Sequence, residues 1–175
     1  MRNILILIDI QKEYTSSNRS FYLKGIHPSL DNCKSLLTKA RQLDWSIVHV
    51  KHLADESSST FNPKEEFSQF AVGFEPKQGE LVFIKNDRSC FTCKDFKDFI
   101  EKHKSDDIYV IGYNTPMCIL STMVYAKNEH YKLILVEDAC WAKACDNLSE
   151  QQVHENVISV IRGYGYASLI KFADL

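Results

Sequence analysis

Ile108-Tyr-Val-Ile-Gly-Tyr-Asn-Thr-Pro-Met-Cys118 is the stretch on which the reading of this chain turns. Residues 108–111 form a short apolar, β-branched run, Gly112 punctuates it, and Pro116 suits the first turn of a helix. The pattern predicts a buried strand that gives way at a glycine to a helix, with Cys118 beside the free backbone N–H groups of the helix start. Such a start carries partial positive charge and unpaired donors. The expectation is therefore a thiol with a lowered pKa, next to donors that can receive an oxyanion.

Two other apolar runs end on charged residues. Residues 3–8 lead into Asp9, and residues 81–84 lead into Lys85. In an open α/β sheet ligands bind at the carboxyl ends of the strands, so a carboxylate, an amine and a thiol are offered to one edge. Taken singly each has a plainer role: an Asp as a turn cap, a Lys in solvent, a Cys as a small core residue. Together at three strand ends they have the composition that thiol-based acyl transfer requires.

Strand-like runs recur at 3–8, 45–50, 81–84, 108–111, 133–136 and 167–170. Helix-like segments lie at 28–43, 94–104, 116–128 and 149–162, the last with Ser149-Glu-Gln-Gln152 as a capping box. The alternation predicts a three-layer α/β/α, Rossmann-like fold with right-handed crossovers around a six-stranded, mainly parallel sheet. The exception is 54–80, a polar segment carrying Phe61, Phe67, Phe70 and Phe74, read as a lid over the active edge or as a subunit interface. No internal repeat or linker divides the chain, and residues 1–175 read as one domain.

At 175 residues and 45% hydrophobic, the chain is long enough to bury a core without disulfide or metal staples. Twenty-one basic against 23 acidic residues give a formal charge of −2, which offers no electrostatic footprint for nucleic acid or for an anionic membrane. The first apolar run is too short to span a membrane and lacks a signal-peptide cleavage pattern, so a cytoplasmic protein with a small-molecule substrate is expected. The six cysteines, at 33, 90, 93, 118, 140 and 145, read as reduced thiols. Cys90-Phe-Thr-Cys93 has CxxC spacing, but a zinc site would need Cys140 and Cys145 as a second pair, and two unrelated loop thiols are the plainer reading.

The chain resembles the isochorismatase-like cysteine hydrolases, which include nicotinamidases and N-carbamoylsarcosine amidases. The resemblance rests on Asp9-Ile-Gln11-Lys-Glu-Tyr14 after the first strand, Lys85 followed by Ser89-Cys-Phe91, and Gly112-Tyr-Asn-Thr115-Pro-Met-Cys118 with Thr122 and Ala126. Val136-Glu-Asp138-Ala139 and His154 complete it, so that it covers nearly the whole chain. It implies a catalytic Asp9, Lys85 and Cys118, an oxyanion site from the backbone N–H groups of Asn114 and Cys118, and a pocket of Gln11, Tyr14, Phe91, Tyr113 and Asn114. It also implies a non-proline cis peptide at Asn114–Thr115 and a homodimer or homotetramer.

Nicotinamidases place an aspartate and histidines as metal ligands after the second strand. Here the stretch reads Val48-His49-Val50-Lys51-His52, whose histidines point to opposite faces of a strand, so no metal and no other cofactor is expected. The leading reading is a metal-independent cysteine hydrolase of a C–N bond in a small amide or ureido compound. The alternatives are an isochorismatase-type hydrolase of a non-amide bond and a catalytically idle binding protein. A flavodoxin-like nucleotide binder is disfavoured, because the loop after the first strand contains no glycine.

Overall fold

Short apolar runs separated by amphipathic helices build a doubly wound sheet in the computed structural model, which describes residues 2–175. The strands are β1 (Asn3–Ile8), β2 (Ser46–His52), β3 (Leu81–Lys85), β4 (Asp107–Tyr113), β5 (Ile134–Trp141) and β6 (Ser168–Ile170). They lie in the order β3-β2-β1-β4-β5-β6, with every neighbouring pair parallel. The chain order reverses between β1 and β4, the kind of switch point beside which such sheets bind ligands.

Strand periodicity assigns the two faces. Ile4, Ile6 and Ile8 of β1 join Val48, Val110 and Leu135 under α3 (Lys94–Lys102), α4 (Leu120–Asn128) and α5 (Glu150–Gly163). Leu5 and Leu7 face the other way, against Cys33, Leu36, Leu37 and Ala40 of α2 (His27–Gln42). Each fully buried aliphatic side chain contributes roughly 1.5–3 kcal/mol, so β1, buried on both faces, anchors the fold. Pro28 sits in the first turn of α2, and the Ser149–Gln152 capping box at the start of α5 forms in both directions.

The β2–β3 crossover contains no long helix, in keeping with the sequence, only a single 3₁₀ turn at Glu66–Ser68, and it is pinned to its neighbours. The Ala71 N–H donates to the Ile10 carbonyl, the Lys12 N–H donates to the Gln69 carbonyl, and Gln11 and Phe70 form an antiparallel bridge. Phe61 and Phe74 are buried among Tyr14, Leu23 and Tyr113. The segment therefore fills the layer that a crossover helix would otherwise occupy. Two of its four phenylalanine rings, Phe61 and Phe74, are core side chains, a role that neither the lid nor the interface reading assigned them. A further element absent from the sequence reading, the four-residue helix α1 (Lys12–Thr15), turns the chain just after β1.

Gly112 sets the spacing at the centre of the sheet. Its φ is +122°, and a Cβ there would lie 2.1 Å from the Ile8 carbonyl oxygen, so only glycine lets β4 approach β1 this closely. The register between β4 and β5 shifts at the same point, between Val110 and Gly112, as a bulge does. That local irregularity lies just ahead of the turn that carries Cys118.

Candidate active site

Three strand ends and one helical turn converge. Asp9 follows β1 with φ +53°, a left-handed conformation that Asp and Asn tolerate better than most side chains, so the backbone turns sharply as the strand ends. Lys85 is the last residue of β3, paired in register with His52 of β2. Cys118 lies in a π-helical turn, Thr115–Ile119, between β4 and α4. Asp9 and Lys85 are buried, and Cys118 is 5% exposed.

The Lys85 ammonium is the hub. Its Nζ lies 2.8 Å from Asp9 Oδ2 and donates to Cys118 Sγ at 3.3 Å, to the Asp87 carbonyl at 3.0 Å and to His52 Nδ1 at 3.4 Å. The contact with Asp9 is close but off the direction of a hydrogen bond, so it is a charge contact, and neither Asp9 carboxylate oxygen has a hydrogen-bond partner among the described residues. The carboxylate thus retains lone pairs that can accept a proton. Burial alone would lower the Lys85 pKa, but the negative charge of Asp9 and the neighbouring Cys118 outweigh it and hold the ammonium above its ordinary range.

The thiol corrects an expectation. Burial pushes the Cys118 pKa well above its ordinary value, and the Asp9 charge acts in the same direction; only Lys85 opposes them. The shift is opposite in direction to the one a helix start alone would produce. In such a setting sulfur gains nucleophilicity when a base takes its proton, and Asp9 is the carboxylate beside it.

The π turn also arranges backbone donors. The Asn114 carbonyl accepts from the N–H groups of Met117 at 3.0 Å and Ile119 at 3.3 Å, skipping that of Cys118. The Asn114 N–H itself meets no acceptor among the described residues. The cis bond expected at Asn114–Thr115 lies one residue earlier, at Tyr113–Asn114: β4 runs through Tyr113, and Asn114 is the single residue between strand and turn. Thr115 is buried and its hydroxyl donates to the Trp141 carbonyl at 2.9 Å, with His154 Nδ1 at 3.0 Å, fastening the turn to β5 and α5.

The expected pocket residues separate. Tyr14 is buried, and burial, then the charges of Cys118 and Asp9, raise its pKa well above the ordinary value. It borders the cluster. Gln11 does not offer a free amide: it donates to the His52 and Ser68 carbonyls at 2.9 and 2.7 Å and accepts from the His52 N–H at 2.9 Å, tying β1 to β2. Tyr113 turns to the α2 face, where its hydroxyl meets Ser29 at 3.0 Å. Phe91 stacks on Tyr125 and Tyr131 in the α3–α4 layer. The Asn114 side chain accepts from the Lys143 N–H at 3.1 Å. Period-two and period-three spacing gives a side chain's face but not the partner that occupies it.

His52 was considered in the sequence only as a metal ligand. It stands instead against Lys85, with its ring edge-to-face on Phe61 at 5.0 Å. His49 points to the opposite face and pairs with Glu80 at 2.8 Å. Among the described residues no three His, Cys, Asp or Glu side chains converge in a metal-binding group. Surface grooves lie elsewhere, one of about 640 Å³ at the amino ends of β4, β5 and β6 and lined by Lys104, His130 and Tyr166, on the wrong edge of the sheet for this chemistry. The clustered charges and thiol, not the size of a concavity, locate the site.

Fold and cluster together define the class: a hydrolase of doubly wound, isochorismatase-like architecture. Residues 3–167 match the isochorismatase domain family, and the chain belongs to it. It is similar to a crystal structure of an isochorismatase from Pseudomonas putida, with 30% identity, a TM-score of 0.89, and 99% of this chain and 90% of that one covered. A secreted isochorismatase effector of Verticillium dahliae is 28% identical over 137 residues, 78% of this chain and 71% of that protein. Maleamate amidohydrolase of Pseudomonas putida is 23% identical over 151 residues, 77% of this chain and 70% of that enzyme. Among the described residues no helix is long and apolar enough to cross a membrane.

Proposed function

We propose that this hydrolase cleaves a C–N bond of a small amide or ureido compound through a thioester on Cys118, with Asp9 as base and acid and Lys85 as the charge that couples them. The observation that carries the reading is the buried contact of Lys85 with both Asp9, at 2.8 Å, and Cys118, at 3.3 Å. Asp9 takes the thiol proton as sulfur attacks the carbonyl carbon and a C–S bond forms. The Asn114 and Cys118 N–H groups receive the oxyanion, each donor contributing roughly 3 kcal/mol. Collapse breaks the C–N bond, and the amine leaves with the proton from Asp9. Water, deprotonated by Asp9, then cleaves the thioester to release the acid and restore the thiol. The similarity to an amidohydrolase supports the amide class. The divergence of His49 toward Glu80 and His52 toward Lys85 supports a metal-independent reaction. Six free thiols suit a reducing compartment such as the cytoplasm.

Intact-mass spectrometry after exposure to small amides, ureido acids and nicotinamide tests this, with Cys118→Ala alongside. An acyl mass shift on the wild type alone, with turnover lost in the variant, is expected. Turnover retained by Cys118→Ala would overturn the mechanism and favour hydrolysis of a non-amide bond.

A further inference from the structure

We propose that His52 is a positioning residue for Lys85: its neutral ring accepts one ammonium hydrogen through Nδ1 and holds the cation between Asp9 and Cys118, and protonation of the ring releases that hold. This rests on the thiol chemistry proposed above. Four groups surround the Lys85 nitrogen, at 2.8 Å (Asp9), 3.0 Å (Asp87 carbonyl), 3.3 Å (Cys118) and 3.4 Å (His52). Asp9 is the closest of the four, as a buried ion pair, and Asp87, Cys118 and His52 take the remaining contacts of the ammonium. His52 and the Asp87 carbonyl thus help fix where the ammonium points, while Asp9 and Cys118 are the groups it acts upon.

The tautomer follows from the donor. An ammonium can only donate, so a hydrogen bond here requires Nδ1 unprotonated and the ring proton on Nε2; the Asp87 carbonyl beside the ring is the acceptor that competes for that proton. The mounting is rigid: both the N–H and the carbonyl of His52 are bonded to Gln11, and the ring rests edge-to-face on Phe61. A change of side chain at 52 therefore leaves the strand end in place. The charged groups around the ring are Lys85 and Asp87 from the end of β3 and Asp9 from β1, with Phe61 of the crossover as the apolar wall. Burial and the Lys85 charge oppose protonation, and Asp9 and Asp87 favour it; the balance keeps the His52 pKa below its ordinary value. Protonation would remove the acceptor and set two cations against each other.

Three measurements on the full chain test the assignment. Imidazole ¹⁵N NMR should show the Nε2–H tautomer and a titration below the ordinary histidine value; a proton on Nδ1 at neutral pH would overturn it. Alkylation of Cys118 by iodoacetamide at pH 8, followed by peptide mass, should slow about tenfold in His52→Leu, the scale of one hydrogen bond to a charged group, and recover in His52→Asn, which restores a side-chain acceptor branching from Cγ. Equal rates in all three proteins would overturn it. With an amide substrate, His52→Leu should lower kcat about tenfold with KM within about twofold, because Lys85 is displaced without loss of a substrate contact. His52→Asn should lose the acid inflection of kcat that coincides with the His52 titration, and an unchanged inflection would also overturn the proposal. If no amide is turned over, the reading of the reaction fails, while the NMR and alkylation results still decide the role of His52.

Discussion

Asp9 couples backbone and charge at a single residue. Its left-handed φ ends the strand, and its carboxylate, paired with Lys85 at 2.8 Å, lies beside the thiol. Asn tolerates the same φ but cannot accept a proton as a base. Asp9→Asn should therefore keep the strand-end turn but lower kcat by about 10²- to 10⁴-fold, the range for loss of a general base, and lower the thermal midpoint because the buried Lys85 ammonium loses its counter-charge. Asp9→Ala should lose the same activity and about 1 kcal/mol or more of stability beyond that of Asp9→Asn, because Ala is strained at positive φ. Thermal melts and steady-state rates on the two variants separate the roles. Asp9, Lys85 and Cys118 were legible in the sequence because each directly ends a strand or opens a helix. The resting state of the thiol was not. It depends on burial and on the distance to Asp9, which sum over elements far apart in the chain.

At the scale of elements, the β4–π-turn–α4 unit depends on Gly112. Ala there would place a methyl 2.1 Å from the Ile8 carbonyl oxygen at a φ of +122°. Gly112→Ala should cost about 3 kcal/mol or more, from backbone strain together with a clash that can be relieved only by separating β1 from β4. Urea titration should show the loss, and a midpoint equal to the wild type would refute the close approach. The six strands and four longer helices were legible because each buries one face or both with the period of its type. Helix α1 was not, since four residues are little more than one turn and set no periodicity. The inward turn of the 54–80 crossover was not legible for a related reason. Its phenylalanines sit in polar sequence without period, and only the placement of Tyr14, Leu23 and Tyr113 shows that Phe61 and Phe74 point inward.

Across the whole molecule, the helix-free crossover has two consequences. Glu80 at its end is clamped by Arg41 in two hydrogen bonds, at 2.7 and 2.9 Å, and meets His49 at 2.8 Å. Burial raises the Glu80 carboxyl, but the bonds from Arg41, the Lys77 N–H and His49 outweigh it and hold the pKa down to about 2. Because the folded value lies below the unfolded one of about 4.3, the stabilisation is complete above pH ~4.3 and is lost as pH falls from there toward 2. Arg41→Ala should move acid unfolding, followed by circular dichroism, to higher pH. An unchanged acid midpoint would show that the clamp contributes nothing. The second consequence is an open sheet edge. Leu81, Val82 and Ile84 of β3 are 43, 43 and 50% exposed, which motivates our proposal that a second copy of the chain covers them. Sedimentation should then give a dimer or tetramer that Ile84→Lys converts to monomer, and a monomeric wild type would remove the proposal. By itself the sequence determined the class of fold and pointed to the three side chains proposed to react, because periodicity and strand-end position are local properties of the chain. Only the tertiary structure decided that His52 stands against Lys85, that Gln11, Phe91 and Tyr113 make their contacts within the scaffold, and that burial and Asp9 push the thiol pKa up. Those outcomes depend on which side chains from distant segments share a volume and exclude water from it, and no local pattern encodes that.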